Sequence, residues 1–87
     1  MAHSLSAKKR MRQNQKRHAR NRVRKSRLKT QVRKLTDAIG SGDADAARTE
    51  YRRTAKLLDQ TAAKGTIHRK TADRRKSRLA KRVAAMG

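Results

Sequence analysis

The chain has 87 residues, of which 27 are lysine or arginine and 6 are aspartate or glutamate, so its formal net charge is +21. The length is that of one small domain, and like charge at this density opposes compaction unless a polyanion neutralises it. The absence of cysteine excludes disulfides and cysteine-based zinc sites. No stretch approaches the roughly 20 apolar residues that span a membrane. These features fit a reducing compartment, and we expect the protein in the cytoplasm.

Glycine residues divide the chain into three predicted helices, since glycine is favoured just past a helix C-terminus and proline is absent. Gly40 and Gly42 separate the first two helices, and Gly65 separates the second from the third. Asp43 is suited to be the N-cap of the second helix, and Thr66 can cap the third. The predicted helices span residues of about 6–39, 44–64 and 67–86.

Apolar residues make up 33% of the chain and recur at helical spacing. The stripes are Leu28, Val32, Leu35 and Ile39 in the first helix; Ala47, Tyr51, Ala55, Leu58 and Ala62, widened by Leu57, in the second; and Ala72, Leu79, Val83 and Met86 in the third. No alternating run indicates a strand. Three amphipathic helices joined by short loops pack as an antiparallel bundle. We therefore predict one all-α domain over residues 1–87, an antiparallel three-helix bundle with a long basic first helix.

The first predicted helix is too long for the bundle. At about 1.5 Å per residue it spans roughly 50 Å and the others roughly 30 Å each, so it overhangs by about 20 Å. The overhang covers residues 6 to about 19, where no apolar stripe exists. Like charges at i, i+4 and cations near a helix N-terminus are unfavourable, so we expect this stretch to be frayed in free protein and helical on a bound polyanion. The basic residues of the overhang are Lys8, Lys9, Arg10, Arg12, Lys16 and Arg17, and Arg20 follows directly after it.

Charge is distributed unequally among the three helices. Residues 1–39 contain 14 basic residues and 1 acidic residue, residues 64–87 contain 9 and 1, and residues 40–63 contain 4 of each. We infer that the first and third helices face a polyanion and that the neutral second helix supports the bundle. Long basic side chains reach phosphates, and arginine can bind them through two hydrogen bonds. On the third helix the face opposite the apolar stripe carries Lys70, Arg74, Arg78 and Lys81.

No catalytic or cofactor motif is recognisable in the sequence. The chain has 3 histidines and 6 carboxylates, no two histidines stand at i, i+4, and neither a GxGxxG nor a Walker loop is present. We therefore expect no enzyme activity, no cofactor, no metal site and no small-molecule substrate. His68 either contacts the polyanion or caps structure, and Tyr51 either packs in the core, which its stripe favours, or stacks on a base.

Charge alone leaves the polyanion open, since phosphate contacts look the same on DNA and RNA. The stretch from Asn21 to Arg27 is a little like a bZIP basic region, but a zipper needs more heptads than follow it and Gly40 ends the helix. A nonspecific DNA-packaging protein is the stronger alternative. A membrane-active peptide needs bulky apolar faces beside its charge, whereas the basic overhang has only Met11, so we expect no membrane partner.

Two separated blocks of the chain form a more specific pattern. The first is Ser6-Ala7-Lys8-Lys9-Arg10, followed by Arg12-Gln13 and Lys16-Arg17; the second is Ala63-Lys64-Gly65-Thr66-Ile67-His68-Arg69-Lys70, continuing through Ala72, Arg74 and Lys76-Ser77-Arg78-Leu79. These blocks and their spacing, with the Ile39–Asp43 junction between them, resemble the S-twenty family of bacterial small-subunit ribosomal proteins. The chain departs from the family pattern at residues 3–5, at Thr71 and at Asp73.

The resemblance implies a three-helix bundle that binds 16S ribosomal RNA directly and promotes its folding and the assembly of the small subunit. It implies contacts with the 5′ domain, with the long helix near the decoding region and with other small-subunit components. The predicted RNA-binding residues, from the resemblance and from the charge pattern together, are Ser6, Lys8, Lys9, Arg10, Arg12, Gln13, Lys16, Arg17, Arg20, Arg24, Arg27, His68, Lys70, Arg74, Lys76, Arg78 and Lys81.

Overall fold

The computed structural model describes residues 5–86 and folds them into three helices. They are α1 (Leu5–Gly40), α2 (Ala44–Ala63) and α3 (Arg69–Ala84). This part of the chain contains no strand, which confirms the predicted all-α class with a long first helix. α1 and α2 lie within one residue of their predicted bounds, whereas α3 begins two residues later and ends two residues earlier than predicted. The departures from the family pattern at residues 3 and 4 lie outside the described residues.

A tight turn reverses the chain from α1 into α2. Gly42 has a φ of 78°, a left-handed conformation that glycine adopts without steric cost. Its N–H donates a hydrogen bond to the carbonyl of Ile39 over 3.1 Å. The carboxylate of Asp43 then accepts a hydrogen bond from the N–H of Ala46 over 3.1 Å. Asp43 is therefore confirmed as the N-cap of α2.

The second turn is built by a paired hydrogen-bond motif at the end of α2. Gly65 has a φ of 76°. Its N–H donates to the carbonyl of Ala62 over 3.0 Å, and the N–H of Thr66 donates to the carbonyl of Thr61 over 3.1 Å. This pair is the Schellman motif, which satisfies helix carbonyls that would otherwise lack a partner. The left-handed conformation of Gly65 and these two hydrogen bonds therefore end α2 near the predicted residue.

The N-cap of α3 is His68, so the predicted cap at Thr66 is wrong. The Nδ1 atom of His68 accepts a hydrogen bond from the N–H of Lys70 over 3.1 Å. The hydroxyl of Thr66 instead donates to Oδ1 of Asn21 in α1 over 2.9 Å. Because its hydroxyl is held by α1 and its N–H by α2, Thr66 belongs to the preceding turn.

The core is small and lies on the predicted stripes. Its buried apolar residues are Leu28, Leu35, Ala47, Leu58, Ala72 and Leu79. Tyr51 packs against this core, and its hydroxyl donates to the carbonyl of Lys76 over 3.4 Å. Thr54 and Thr61 are buried as well, and their hydroxyls donate to carbonyls four residues earlier over 2.7 and 2.6 Å. An apolar stripe does not reveal these threonines, because they become suitable for burial only through those hydrogen bonds.

α2 lies between the other two helices. α1 packs against α2 and α2 packs against α3, whereas α1 and α3 barely touch. The amide of Gln31 in α1 donates to the carboxylate of Glu50 in α2 over 2.6 Å. Lys76 in α3 reaches the carboxylate of Asp59 in α2 over 2.7 Å. Because only the middle helix packs on both partners, the bundle leaves a groove between α1 and α3.

The N-terminal part of α1 projects beyond the bundle. Residues 8–20 are all exposed, and the molecule measures 62 Å in its long direction against 21 and 14 Å in the others. This confirms the predicted overhang, which at about 1.5 Å per residue is roughly 20 Å long. The stretch is helical, the form expected on RNA. Its fraying in free protein stays a prediction.

Candidate nucleic-acid interface

The overhang of α1 presents cations over more than half of its circumference, an arc of roughly 200° at about 100° per residue. On one face Lys9, Arg12, Gln13 and Lys16 line a shallow depression, since residues three, four and seven apart lie on the same side of a helix. Three cations and an amide supply the charge and hydrogen-bond donors that a phosphate requires. The predicted RNA-binding residues of this segment are all exposed: Ser6, Lys8, Lys9, Arg10, Arg12, Gln13, Lys16, Arg17 and Arg20.

The overhang joins the bundle at Asn21. Oδ1 of Asn21 accepts one hydrogen bond from the hydroxyl of Thr66 and another from the guanidinium of Arg24, over 2.9 and 3.3 Å. Arg24 is half-buried, whereas Arg27 is exposed. A guanidinium carries five N–H donors, so Arg24 keeps donors for a phosphate while Asn21 fixes its position.

Most of the predicted residues of α3 and its N-terminal turn are exposed to solvent. They are His68, Lys70, Arg74, Arg78 and Lys81. Because Nδ1 of His68 accepts a hydrogen bond, the ring hydrogen lies on Nε2, which can donate it to a phosphate. The two interpretations of His68, helix cap and RNA contact, are therefore compatible.

Lys76 differs from the other predicted residues because it is paired inside the protein. Its ammonium lies 2.7 Å from a carboxylate oxygen of Asp59 in α2 and 3.6 Å from one of Asp73 in α3. The pKa of Lys76 is raised from its usual 10.5, chiefly by the hydrogen bond to Asp59, against the lowering effect of burial. The ammonium of Lys76 thus joins α3 to α2 through Asp59, and Asp73 also contacts it.

The acidic residues of α2 pair with nearby cations and leave most cations of the outer helices outside salt bridges. Within residues 5–86 the salt bridges are Arg48 with Asp45, Arg53 with Glu50, and Lys76 with Asp59 and Asp73. The lysines and arginines of α1 take part in none of them. The positive charge available to a partner therefore lies on α1 and on α3.

The groove between α1 and α3 has a volume of about 900 Å³. Its floor consists of Leu28, Val32, Ile67 and Leu79, and its cationic rims consist of Lys25, Lys29, Arg75, Arg78 and Arg82. His68 and Thr71 also line it. Of these cationic and polar residues, the sequence identified only His68 and Arg78 as binding residues.

The sequence positions of the other four rim cations, Lys25, Lys29, Arg75 and Arg82, indicate a binding role only once it is known that α2 lies between α1 and α3. In α1, Lys25 is three residues before Leu28 and Lys29 is one residue after it. In α3, Arg75 is four residues before Leu79 and Arg82 is three residues after it. In a closed bundle such positions would border a buried seam between α1 and α3. Here the seam is open, so these side chains face a shared groove.

The part of the chain that the structure describes contains no cluster of three or more histidine, aspartate or glutamate side chains that could hold a metal ion. None of its helices combines the length and the apolar character needed to cross a membrane.

The exposed and unpaired cations have the electrostatic footprint of a nucleic-acid-binding protein. Comparison with known proteins gives the family: residues 2–84 match the model described as Ribosomal protein S20. The chain therefore belongs to the ribosomal protein S20 family, as its two sequence blocks indicate. As a ribosomal protein it is located in the cytoplasmic ribosome.

Similar proteins cover essentially the whole chain. The small ribosomal subunit protein bS20 of Koribacter versatilis is 49% identical over 85 residues, which are 98% of this chain and 96% of that protein. The bS20 proteins of a Ruegeria species and of Nitrosomonas eutropha are 48% and 45% identical over 87 residues, with 100% of both chains covered. The chain thus matches these relatives from end to end.

Proposed function

We propose that this member of the S20 family is a structural constituent of the small ribosomal subunit that binds 16S ribosomal RNA directly. In this proposal it also promotes folding of that RNA and assembly of the subunit. The observation that carries the proposal is the positive charge outside salt bridges on α1 and α3, which flank an α2 whose acidic side chains are all paired. Family membership makes ribosomal RNA the polyanion that this charge meets.

The mechanism is electrostatic clamping by two basic helices. The cations of the overhang span an arc of roughly 200° around α1, which allows α1 to contact more than one RNA helix at once when it is inserted between them. By neutralising phosphates where RNA helices converge, the protein lowers the repulsion that opposes RNA compaction. Specificity comes mainly from the shape of the RNA and the position of its backbone, since phosphate contacts carry no sequence information.

The proposed contact residues are the predicted set without Lys76, and all of them are exposed except the half-buried Arg24. They are Ser6, Lys8, Lys9, Arg10, Arg12, Gln13, Lys16, Arg17, Arg20, Arg24, Arg27, His68, Lys70, Arg74, Arg78 and Lys81. Lys76 is assigned a structural role, because its ammonium is paired with two carboxylates. We further propose that residues 1–87 form one domain without enzyme activity, and that its RNA partners are the 5′ domain and the long decoding-region helix.

Salt dependence measures the clamp directly. If about eight phosphates are neutralised, the logarithm of the binding constant should fall against the logarithm of salt concentration with a slope of roughly −6 to −7. A slope near −2 would mean that few phosphates are contacted, and it would refute the clamp.

The specificity of the proposal is tested by competition. The protein is titrated into labelled 16S ribosomal RNA at fixed salt, against excess duplex DNA and against an unrelated structured RNA. We expect 16S ribosomal RNA to be preferred by about a hundredfold or more, a threshold set below the roughly thousandfold or greater preference of specific over nonspecific protein–DNA binding. Equal competition by all three would instead indicate a nonspecific polyanion binder, as a DNA-packaging protein would be.

A further inference from the structure

The groove between α1 and α3 has an apolar floor that phosphate clamping leaves unused. Leu28, Val32, Ile67 and Leu79 form this floor. The volume of about 900 Å³ lies within the range of about 300–1,000 Å³ of pockets that enclose small molecules. Cations on both rims repel one another across the opening, so neither rim can close over the floor without an anion between them.

We propose that this groove receives an unpaired nucleotide of the bound ribosomal RNA, with its base on the apolar floor and its neighbouring phosphates on the two rims. The inference rests on the proposed function and names a binding site within it. The cationic rims require an anion, while the floor requires a flat or apolar face. An unpaired nucleotide offers both, whereas a duplex keeps its base faces inside the stack and presents mainly backbone and groove edges.

The placement of the rim side chains supports a single strand lying across the groove. Lys25 and Lys29 belong to α1, and Arg75 and Arg82 belong to α3, so phosphates before and after one base can each meet a cation. Arginine can hold a phosphate through two hydrogen bonds or stack its plane on a base. His68 lines the same groove and offers its Nε2 hydrogen there.

Thr71 provides a test that alters no charge. Thr71 is a half-buried residue that lines the groove, so Thr71→Trp fills the space that a base would occupy. Thr49, an exposed residue of α2, provides the matched control Thr49→Trp. We expect Thr71→Trp to weaken binding to 16S ribosomal RNA by about tenfold or more, the loss expected when one base loses its apolar contact with the aliphatic floor. The salt slope should become shallower than that of the wild type by up to about 1.4–1.8, because the two phosphates on the rims are displaced together with the base. Thr49→Trp should bind like the wild type.

Chemical probing of the bases gives a second readout of the same variant. One or two unpaired bases should be protected by the wild type and by Thr49→Trp and should become reactive in the complex with Thr71→Trp. If Thr71→Trp binds with wild-type affinity and an unchanged pattern of base protection, the groove is empty in the complex and the inference fails. The proposed function would survive that result, because it is lost only if the wild-type protein shows no preference for 16S ribosomal RNA.

A smaller substitution covers the case in which tryptophan disturbs the fold. The chain has no cysteine, so Thr71→Cys introduces a unique thiol for a short photo-crosslinker, with Thr49→Cys as control. In assembled small subunits the thiol at position 71 should crosslink to an unpaired nucleotide. Crosslinks confined to paired RNA, crosslinks to another ribosomal protein, or no crosslink from position 71 would each overturn the inference.

Discussion

Reversing two charges on the overhang should strongly weaken binding to 16S ribosomal RNA. Lys9→Glu and Lys16→Glu change two side chains that line the same depression on α1. Both are exposed, and neither takes part in a salt bridge among residues 5–86. The double variant therefore removes two of the proposed phosphate contacts while leaving the contacts of the bundle intact.

The expected loss can be estimated from the charges. A hydrogen bond to a charged group contributes about 1.5–3 kcal/mol, so two lost contacts correspond to a roughly hundredfold or greater loss of affinity. Each phosphate contact contributes about 0.7–0.9 to the salt slope. The slope of the double variant should therefore be shallower than that of the wild type by about 1.4–1.8.

The assay is fluorescence anisotropy with labelled 16S ribosomal RNA over a series of salt concentrations. The matched control is Arg52→Glu with Lys56→Glu, which makes the same change in net charge on α2. Both control residues are exposed and stand outside the salt bridges of the described chain. We expect the control to lose only a few-fold, through the long-range field. Equal losses in the two variants would refute the supporting role of α2, and an unchanged salt slope would refute phosphate contact by the overhang.

The remaining predictions concern the overhang, a turn and the contact between α2 and α3. Hydrogen exchange should show fast exchange at amides 8–20 in free protein and protection on ribosomal RNA; protection without RNA would refute fraying. Gly65→Ala should lower the free energy of unfolding by about 1–2 kcal/mol, since φ there is 76° and other residues are strained in that region. Gly40→Ala, at a helical glycine with open space around it, should not lower it in urea titrations. Lys76→Met should reduce stability with little loss of RNA affinity; an affinity loss equal to that of the overhang variant would return Lys76 to the contact set. Because the pKa of Lys76 is raised above 10.5, its stabilising effect should be constant below about pH 10.5 and disappear as pH rises through the raised value.

The features that could be predicted from sequence are those that depend on neighbouring residues. The stripes contained all six residues of the buried apolar core, because helical periodicity is a local property. Asp43 was identifiable as a cap, because its partner Ala46 lies three residues away. The prediction for Thr66 was wrong because the hydroxyl finds its acceptor on Asn21, 45 residues away in the chain.

The candidate interface shows the same division between local and long-range effects. The sequence placed cations on the overhang of α1 and on α3, where the structure leaves them exposed. It grouped Lys76 with those cations, whereas Asp59 of the neighbouring helix pairs with it. The prediction from sequence did not include Lys25, Lys29, Arg75 and Arg82, because a closed bundle has no groove between α1 and α3 for them to line.

By itself the sequence determined the helices, the length of the overhang and the neutrality of α2, since each depends on residue type and order along one segment. Only the tertiary structure decided which cations are neutralised and which share a surface. Electrostatic attraction depends on distance in space, and the distance between Lys76 and Asp59 is set by the packing of α2 against α3. The groove has the same origin, because α2 lies between its two neighbours and keeps α1 and α3 from packing together.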